Sequence, residues 1–530
     1  MDYDLVMEDE FDALCLDVRR HHDSASKTKY PAKLHARKVV RELGVDDGLI
    51  YLPGQPEISL EDSDQPRLFR NFLLLPILPP SAPHEANTGN PPSRSFVYIT
   101  GANFEDCTAT YEVKHDKLTL WIPYVEPRQV LWFGSKPSAA ECKRRYDVDE
   151  VRYTTQLSGF LRSFAAQPSP PVTYILHPNQ APDLGHGSQS QLCLDSSLLL
   201  PAMDRARVVK SDYEVAMVRR ANNISSAAHR RVAERILRLT NEREIEAIIQ
   251  AVCIASGSRS QAYPIIAGSG ANGATLHYGS NNASLGGKQC VVIDAGCEWN
   301  CYASDITRTL PLSGAWTPKA AAIHAIVQRM QDECIAKVGP GVAWREIHLH
   351  AASVGMEGLL GLGILKGRRE DVARAGTVAA FFPHGLGHHV GLDVHDVSGT
   401  LALSAAEGRG QQLDFGKRAM VTPSMLADMT CASSSQDAVG GGRSKTQLLL
   451  PNMIVTVEPG IYFCREYLEG YFRSDPAHTD FIDWDLLEEY YDVGGVRIED
   501  CILVTEDGYE NLTVAPKGDE LLDVINKGKK

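Results

Sequence analysis

The chain has 530 residues, 43% hydrophobic and 23% charged, with 67 acidic against 53 basic residues and a formal net charge of −14. That length calls for more than one domain with ample core volume, and the negative balance argues against a surface built for nucleic acid or anionic lipid. The acidic start MDYDLVMEDEFDALCLD lacks the pattern of a secretory signal, and no run reaches the ~18 apolar residues of a membrane span; with twelve cysteines and no CxxC pair, the expected address is the cytoplasm.

In chain order, residues 29–43 (KYPAKLHARKVVREL) show the apolar spacing of a helix, and GLIYLPG, SFVYITG, KLTLWIPY and QVLWFGS read as short strands. Residues 75–93 are rich in proline and read as an exposed loop or insertion, and residues 165–200 form a second loop-rich stretch ahead of a domain boundary. The first domain is therefore placed at residues 1–195, as a smaller mixed α/β unit. RARVVKSDYEVAMVRRANNISSAAHRRVAERI follows as a long amphipathic helical segment, with Ser211 as N-cap and Glu214 at capping-box spacing. TNEREIEAIIQA reads as a second helix. From Tyr263 onward strands dominate: YPIIAG, CVVIDAG, TRTLPL, MIVTVEPGIYF and VRIEDCILVT. The whole is an α+β chain of two domains, the larger one at residues 205–530, where every strong chemical motif lies.

CVVIDAGCEWNCYASDITRTL suggests a hairpin whose turn is centred between Trp299 and Asn300. Asp294 and Asp305 would then face each other with Cβ atoms ~5 Å apart, and two carboxylates so placed repel unless a cation or a shared proton intervenes. Two unrelated turn or surface aspartates are the plain alternative. In FFPHGLGHHVGLDVHDVSG, His384 and His388 are four apart, but Gly385, Gly387 and Gly391 argue against a helix. A bent, extended segment leaves His388 and His395 as candidates for one ligand and one substrate-facing donor. Glu458 ends the apolar strand MIVTVE, where an unpaired carboxylate needs a cation or donors. Alternation puts Arg497 and Glu499 on one face of VRIED, with a structural Arg–Glu pair as the plain alternative. Together these residues make an oxygen-rich site with one nitrogen ligand, suited to two hard or borderline ions such as Mn²⁺, with Co²⁺ or Zn²⁺ as alternatives. Gly268, Gly270 and Gly273 spell GxGxxG, with Asp294 where a ribose-binding acid would stand. That motif needs a helix to begin there, yet ATLHYGSNN is extended and turn-like, so dinucleotide binding is rejected.

AGSGANGATLHYG, VVIDAGCEWNCYASDITRT, HGLGHHVGLDVHD, VTVEPGIYF and GGVRIEDCILV, in this order, resemble the aminopeptidase P/prolidase branch of the pita-bread metallopeptidases. The resemblance implies a C-terminal pita-bread domain behind a smaller creatinase/prolidase-like domain, and two divalent ions per subunit, manganese foremost. It implies Asp294 on one metal, His388 and Glu458 on the other, Asp305 and Glu499 bridging, and His277, His384 and His395 lining the substrate site. On that basis Glu458 is expected to shuttle a proton, His395 to stabilise the oxyanion, His277 to orient substrate and Arg497 to steer Glu499. The expected activity is a metal-dependent Xaa-Pro aminopeptidase acting on peptides with proline second, in a homodimer. Prolidase action on dipeptides is the alternative, and a catalytically inactive binding module the minor one. Two segments bear on peptide length. Around residues 404–447 the chain carries an insertion rich in Ser, Gly and Ala, read as a disordered surface segment. Ser444, with Arg443 beside it, stands where a prolidase arginine binds the dipeptide carboxylate, which favours longer peptides. Residues 466–491, in contrast, resemble eukaryotic prolidases.

Overall fold

A computed structural model describes residues 29–56, 93–184, 192–397, 420–433 and 448–527. The proline-rich residues 75–92, Arg443 and Ser444, and most of the expected insertion lie outside the described residues. Two compact units divide the chain between Val208 and Val209.

The N-terminal unit is built on one six-stranded sheet of order β4-β3-β2-β1-β5-β6. Its strands are β1 (Leu49–Pro53), β2 (Thr108–Glu112), β3 (Lys117–Ile122), β4 (Glu150–Tyr153), β5 (Val172–Tyr174) and β6 (Cys193–Asp195). β1, β2 and β3 are antiparallel, and β4, β5 and β6 join in parallel. Helix α1 (Ala32–Leu43) is the helix expected near residue 29. It starts after Pro31 and is closed by Gly44 in the left-handed region. Helix α2 (Leu199–Val208), which spans the expected boundary, packs on α1.

Two expected strands of this unit are helices. SFVYITG lies in the helix Ser93–Thr100, with Phe96, Val97, Tyr98 and Ile99 all buried. An apolar run buried on every side carries no period that separates strand from helix. QVLWFGS lies in the helix Pro127–Phe133, whose start has Pro127 in its first turn and a capping box between Glu126 and Gln129. Those local signals outweigh the strand propensity of Val, Leu and Trp.

In the C-terminal unit, helices α3 (Asp212–Arg235) and α4 (Glu242–Ala255) pack side by side. Ser211 caps α3 as expected, its N–H donating to Glu214 Oε2 at 2.8 Å. Four small sheets follow, built from β7 (Ser260–Gln261), β8 (Ile266–Ser269), β9 (Cys290–Asp294), β10 (Cys297–Trp299), β11 (Tyr302–Ala303), β12 (Thr307–Pro311), β13 (Ile454–Val457), β14 (Gly460–Tyr462), β15 (Gly495–Arg497), β16 (Asp500–Val504) and β17 (Tyr509–Asn511). Their orders are β11-β10-β7, β12-β9-β8, β13-β16-β17 and β14-β15. Ile245 and Ile249 of α4 bury with Val291, Ile293 and Leu310 of the sheet and with Leu521 and Ile525 of the C-terminal helix Gly518–Lys527. This core fixes the strands whose ends carry the acidic residues.

Strands do not dominate throughout this unit. Two long helices, α5 (Pro318–Ile335) and α6 (Trp344–Gly361), stand between the hairpin and the histidine segment, and α5 starts with Thr317 as N-cap and proline in its first turn. Inside the expected structureless insertion, Pro423–Ser433 is helical, with the Met425 N–H donating to Thr422 Oγ1 and Leu426 buried. Thr-Pro at that start is a cap followed by a first-turn proline. No helix among the described residues is long and apolar enough to cross a membrane.

Gly494 sits at φ 74°, and a Cβ on it would lie 1.8 Å from the Gly270 carbonyl oxygen. Gly494→Ala must both hold a left-handed residue and displace backbone, at a cost on the order of 2–4 kcal/mol. A lowered thermal midpoint for the variant, followed by circular dichroism, is the expected result.

Candidate functional site

The hairpin sets the first two acids. β9 pairs with β12 so that Asp294 lies opposite Thr307, and Trp299 of β10 lies opposite Tyr302 of β11. The turn is therefore Asn300–Cys301, both at positive φ (46° and 77°), the backbone of a two-residue hairpin turn whose twist matches its strands. The expected centre is one residue too early, and Asp294 and Asp305 are not directly opposed. Asp305 stands two residues nearer the turn than Asp294's partner. Their charges still interact. Burial, and after it the Asp294 charge, pushes the Asp305 carboxyl well above the ordinary carboxylate range.

The glycine-rich histidine segment lies along β13. His389 bridges to Val455, the Thr456 N–H donates to the His388 carbonyl at 2.8 Å, and the Glu458 N–H donates to that of Leu386 at 2.8 Å. A Cβ on Gly387 would meet the Thr456 carbonyl oxygen at 2.0 Å, so the approach requires glycine there. The segment is neither helix nor strand, as the glycines imply. His388 Nδ1 is 3.0 Å from the His389 carbonyl oxygen, which can only accept, so Nδ1 carries the proton. Its Nε2 faces Asp305 Oδ2 at 3.3 Å and Glu458 Oε1 at 3.4 Å. Three electron-rich atoms so close repel one another unless a cation or a proton lies among them.

Glu499 completes the cluster. Thr307 bridges to it backbone to backbone, and Thr307 Oγ1 donates to Glu499 Oε2 at 2.7 Å. The same hydroxyl accepts from Arg497 Nε at 3.1 Å, so the contact between Arg497 and Glu499 runs through Thr307. Arg497 itself is salt-bridged to Asp294 at 2.6 Å and donates to Tyr462 Oη at 3.0 Å. Tyr462 Oη in turn lies 2.9 Å from His384 Nε2, while His384 Nδ1 donates to the Gly385 carbonyl at 2.8 Å. Burial, then the Arg497 charge, pushes the His384 imidazole down to about 3, so it is neutral. Tyr263 donates to Asp305 Oδ1.

Donor atoms of Asp305, His388 and Glu499 lie within 4.8 Å of one another, Glu458 adjoins His388, and Asp294 is tied in by Arg497. His395 packs its ring against that of His388, centroids 4.1 Å apart at 67°. His277 is exposed, and its charge acts on His384. Burial and mutual charge push Glu458 and Glu499, like Asp305, well above the ordinary range. Four carboxylates thus confront one guanidinium, and among the described residues the buried Asp294 Oδ1 and Glu499 Oε1 have no hydrogen-bond partner. This donor set fits divalent cations: it is short of positive charge, and two buried oxygens are free to ligate. Sequence reasoning missed Tyr263, Thr307, Thr456 and Tyr462. Of these, Thr307 was readable once the hairpin register is right, since it lies opposite Asp294.

A sequence profile of metallopeptidase family M24 matches residues 216–506, and one of the aminopeptidase P N-terminal domain matches residues 33–173. A Metarhizium robertsii protein called a probable Xaa-Pro aminopeptidase is 94% identical over 530 residues, covering all of both chains. A Colletotrichum graminicola protein of the same description is 53% identical over 546 residues, covering 99% of each. Among solved structures, the low-pH form of Escherichia coli aminopeptidase P superposes with a TM-score of 0.71 at 24% identity, covering 95% of this chain and 100% of that one. A zinc-substituted form of that enzyme in complex with product gives a TM-score of 0.70 at 24% identity and the same coverage. These two likenesses are of fold.

Among the described residues Arg497 is the one guanidinium beside the four acids, and its side chain and that of Asp294 are 5% and 14% exposed. Arg497→Met in chelated protein is expected to lower unfolding stability by roughly 3–5 kcal/mol, because it strands a buried carboxylate. Urea denaturation of variant and parent measures the difference.

Proposed function

We infer that this chain, which belongs to metallopeptidase family M24, is a metal-dependent aminopeptidase that removes the residue preceding proline from the N-terminus of peptides. The observation that carries the reading is the convergence of Asp305, Glu458 and Glu499 on Nε2 of His388, with Asp294 beside them. The relatives, described as probable Xaa-Pro aminopeptidases, support the aminopeptidase arm over the dipeptidase one. The order of the two domains, with the pita-bread unit C-terminal, is that of aminopeptidase P.

In this reading Asp294, Asp305, His388, Glu458 and Glu499 hold two divalent ions, manganese being the metal proposed. Such ions supply Lewis-acid polarisation of a carbonyl and acidify water at neutral pH. The chain's own residues do the rest. Glu458 lies next to His388 at the end of β13; as a carboxylate it would accept a proton and hand it on to the leaving proline nitrogen. His395, packed on His388, donates to the scissile carbonyl oxygen as negative charge develops there. Neutral His384, held by Tyr462 and the Gly385 carbonyl, offers a fixed hydrogen-bonding wall without adding charge. His277 orients the peptide from the exposed side. Thr307 locks the Glu499 carboxylate, and Arg497 does the same for Asp294. Proline's missing N–H makes a dedicated site necessary, because pairing with that group is closed to ordinary peptidases.

A cytoplasmic location is proposed on the free cysteines among the described residues, Cys107, Cys253, Cys290 and Cys501 among them. A homodimer is proposed on the exposed apolar side chains of the N-terminal unit, Leu131 at 84% and Trp132 at 72%. Sedimentation at micromolar concentration tests it.

Two outcomes are expected. Manganese at about a hundred times its dissociation constant should stabilise the protein by about 2.7 kcal/mol over the chelated form, a shift that Asp305→Ala largely abolishes in thermal denaturation. The manganese-loaded parent should cleave an Xaa-Pro-Pro peptide in preference to Gly-Pro, and His395→Ala should lose about 10²–10³-fold in kcat. Faster cleavage of Gly-Pro would move the assignment to prolidase, and cleavage of neither peptide, with two metals bound, would sink it.

A further inference from the structure

The glycine-rich segment AGSGANG has no role in the site as described. It is neither a strand–helix phosphate loop nor a plain connection. β8 ends at Ser269, a short 3₁₀ turn spans Gly270–Ala274, and the chain then runs outward through His277 before returning to β9. Beneath it lies Glu242, in the first turn of α4, fully buried.

Glu242 receives five hydrogen bonds, three from this segment and two from Tyr278 and Ala283 farther along the loop. Oε1 accepts from the Ser269 N–H at 2.9 Å, the Ser269 hydroxyl at 2.5 Å and Asn272 Nδ2 at 3.1 Å. Oε2 accepts from the Tyr278 hydroxyl at 2.9 Å and the Ala283 N–H at 2.8 Å. Lys288 Nζ lies 3.8 Å from Oε1 and donates to the Ser269 hydroxyl at 2.6 Å. Burial raises the carboxyl's pKa, but the hydrogen bonds from Ser269 and Ala283 outweigh it and hold Glu242 below its ordinary value, so it is ionised. Neighbouring contacts extend the clamp. The Glu242 N–H donates to the Ala283 carbonyl, Asn241 Nδ2 to that of Asn282, and the Leu285 N–H to that of Thr240.

We propose that Glu242 is a positioning residue for substrate binding: its carboxylate gathers both limbs of the 269–283 loop and thereby fixes His277, one residue before the clamped Tyr278, at the mouth of the site. This rests on the reading of His277 as facing the peptide. The chemistry demands a carboxylate. Each oxygen receives a backbone N–H, so a glutamine in either orientation must turn its own NH₂ against a backbone donor. An isosteric change with no volume difference therefore releases one limb of the loop, while the β8–β9 ladder beside it, Ile266 opposite Asp294 and Ser269 opposite Val291, keeps its own pairing.

The test uses the full-length, manganese-loaded protein and an Xaa-Pro-Pro peptide. Glu242→Gln should lower kcat/KM about 10–100-fold, the range for loss of a residue that orients a site group. It should also speed amide exchange across residues 270–283 while β9 exchanges as in the parent. The decisive arm is His277→Ala. In that background Glu242→Gln should cost less than twofold, because two residues acting through one side chain are not additive. Tyr278→Phe, which removes a single donor, should show the same pattern with a smaller loss and serves if Glu242→Gln does not fold. An undiminished effect of Glu242→Gln in the His277→Ala background, or unchanged loop exchange, would overturn the proposal. A parent inactive on the peptide would instead overturn the functional reading, and loop exchange would still judge the clamp.

Discussion

The structure turns on one electrostatic conflict. Asp305, Glu458 and Nε2 of His388 crowd one space, Glu499 adjoins them, and among the described residues Arg497 is the single guanidinium in their midst. Left alone, such a cluster would hold protons or swing apart. The fold prevents the second outcome. Tyr263 pins Asp305, Thr307 pins Glu499, Arg497 pins Asp294, and the Thr456 hydroxyl ties the His388 backbone to Glu458. Each clamp stops a carboxylate from relaxing toward solvent, so what remains is to hold protons or to bind cations in their place.

Holding ligands from distant segments demands close backbone approach as well as charge. The histidine segment lies against β13 because Gly387 lets the Thr456 carbonyl in. Its far end is anchored by a wholly buried ion pair, Lys210 to Asp396 at 2.8 Å, and the Asp396 N–H returns to the His389 carbonyl. A buried pair of this kind adds little net stability over an apolar contact, but it admits one arrangement and punishes others. Rigidity between His388 and His395 follows from it, and the metal and substrate sides of the site are thereby kept in register.

How much of this was legible depended on the kind of information each residue carries. The acids and histidines were readable because a carboxylate ending an apolar strand, or an imidazole among glycines, is costly without a purpose. The hairpin was readable too, but its register was not. Asn300–Cys301 contains no glycine, so nothing local marked the turn, and an error of one residue in its centre moved Asp294's partner from Thr307 to Asp305. The same limit explains SFVYITG. Four consecutive buried residues in Ser93–Thr100 erase the periodicity that distinguishes helix from strand. By contrast Pro127 and Thr422–Pro423 were honest start signals that an apolar or low-complexity impression outweighed. The bridging roles of Thr307, Tyr462 and Tyr263 are tertiary facts. A hydroxyl in a strand says nothing about which of two acids it will meet.

The glycine-rich loop shows the same boundary from the other side. GxGxxG is a sequence in which backbone N–H groups can converge on an anion, and in dinucleotide folds that anion is a ligand's pyrophosphate at a helix N-terminus. Here no α-helix follows, and the N–H groups of Ser269 and Ala283 converge on Glu242, an anion supplied by the chain itself. Ser269 belongs to the motif, and Ala283 joins it from the far limb of the loop. What distinguishes the two uses is the acidic residue in the first turn of α4, some thirty positions upstream, and the burial that forces it to find donors. The loop is thus occupied from within, and in the proposed role it is the scaffold for the exposed His277.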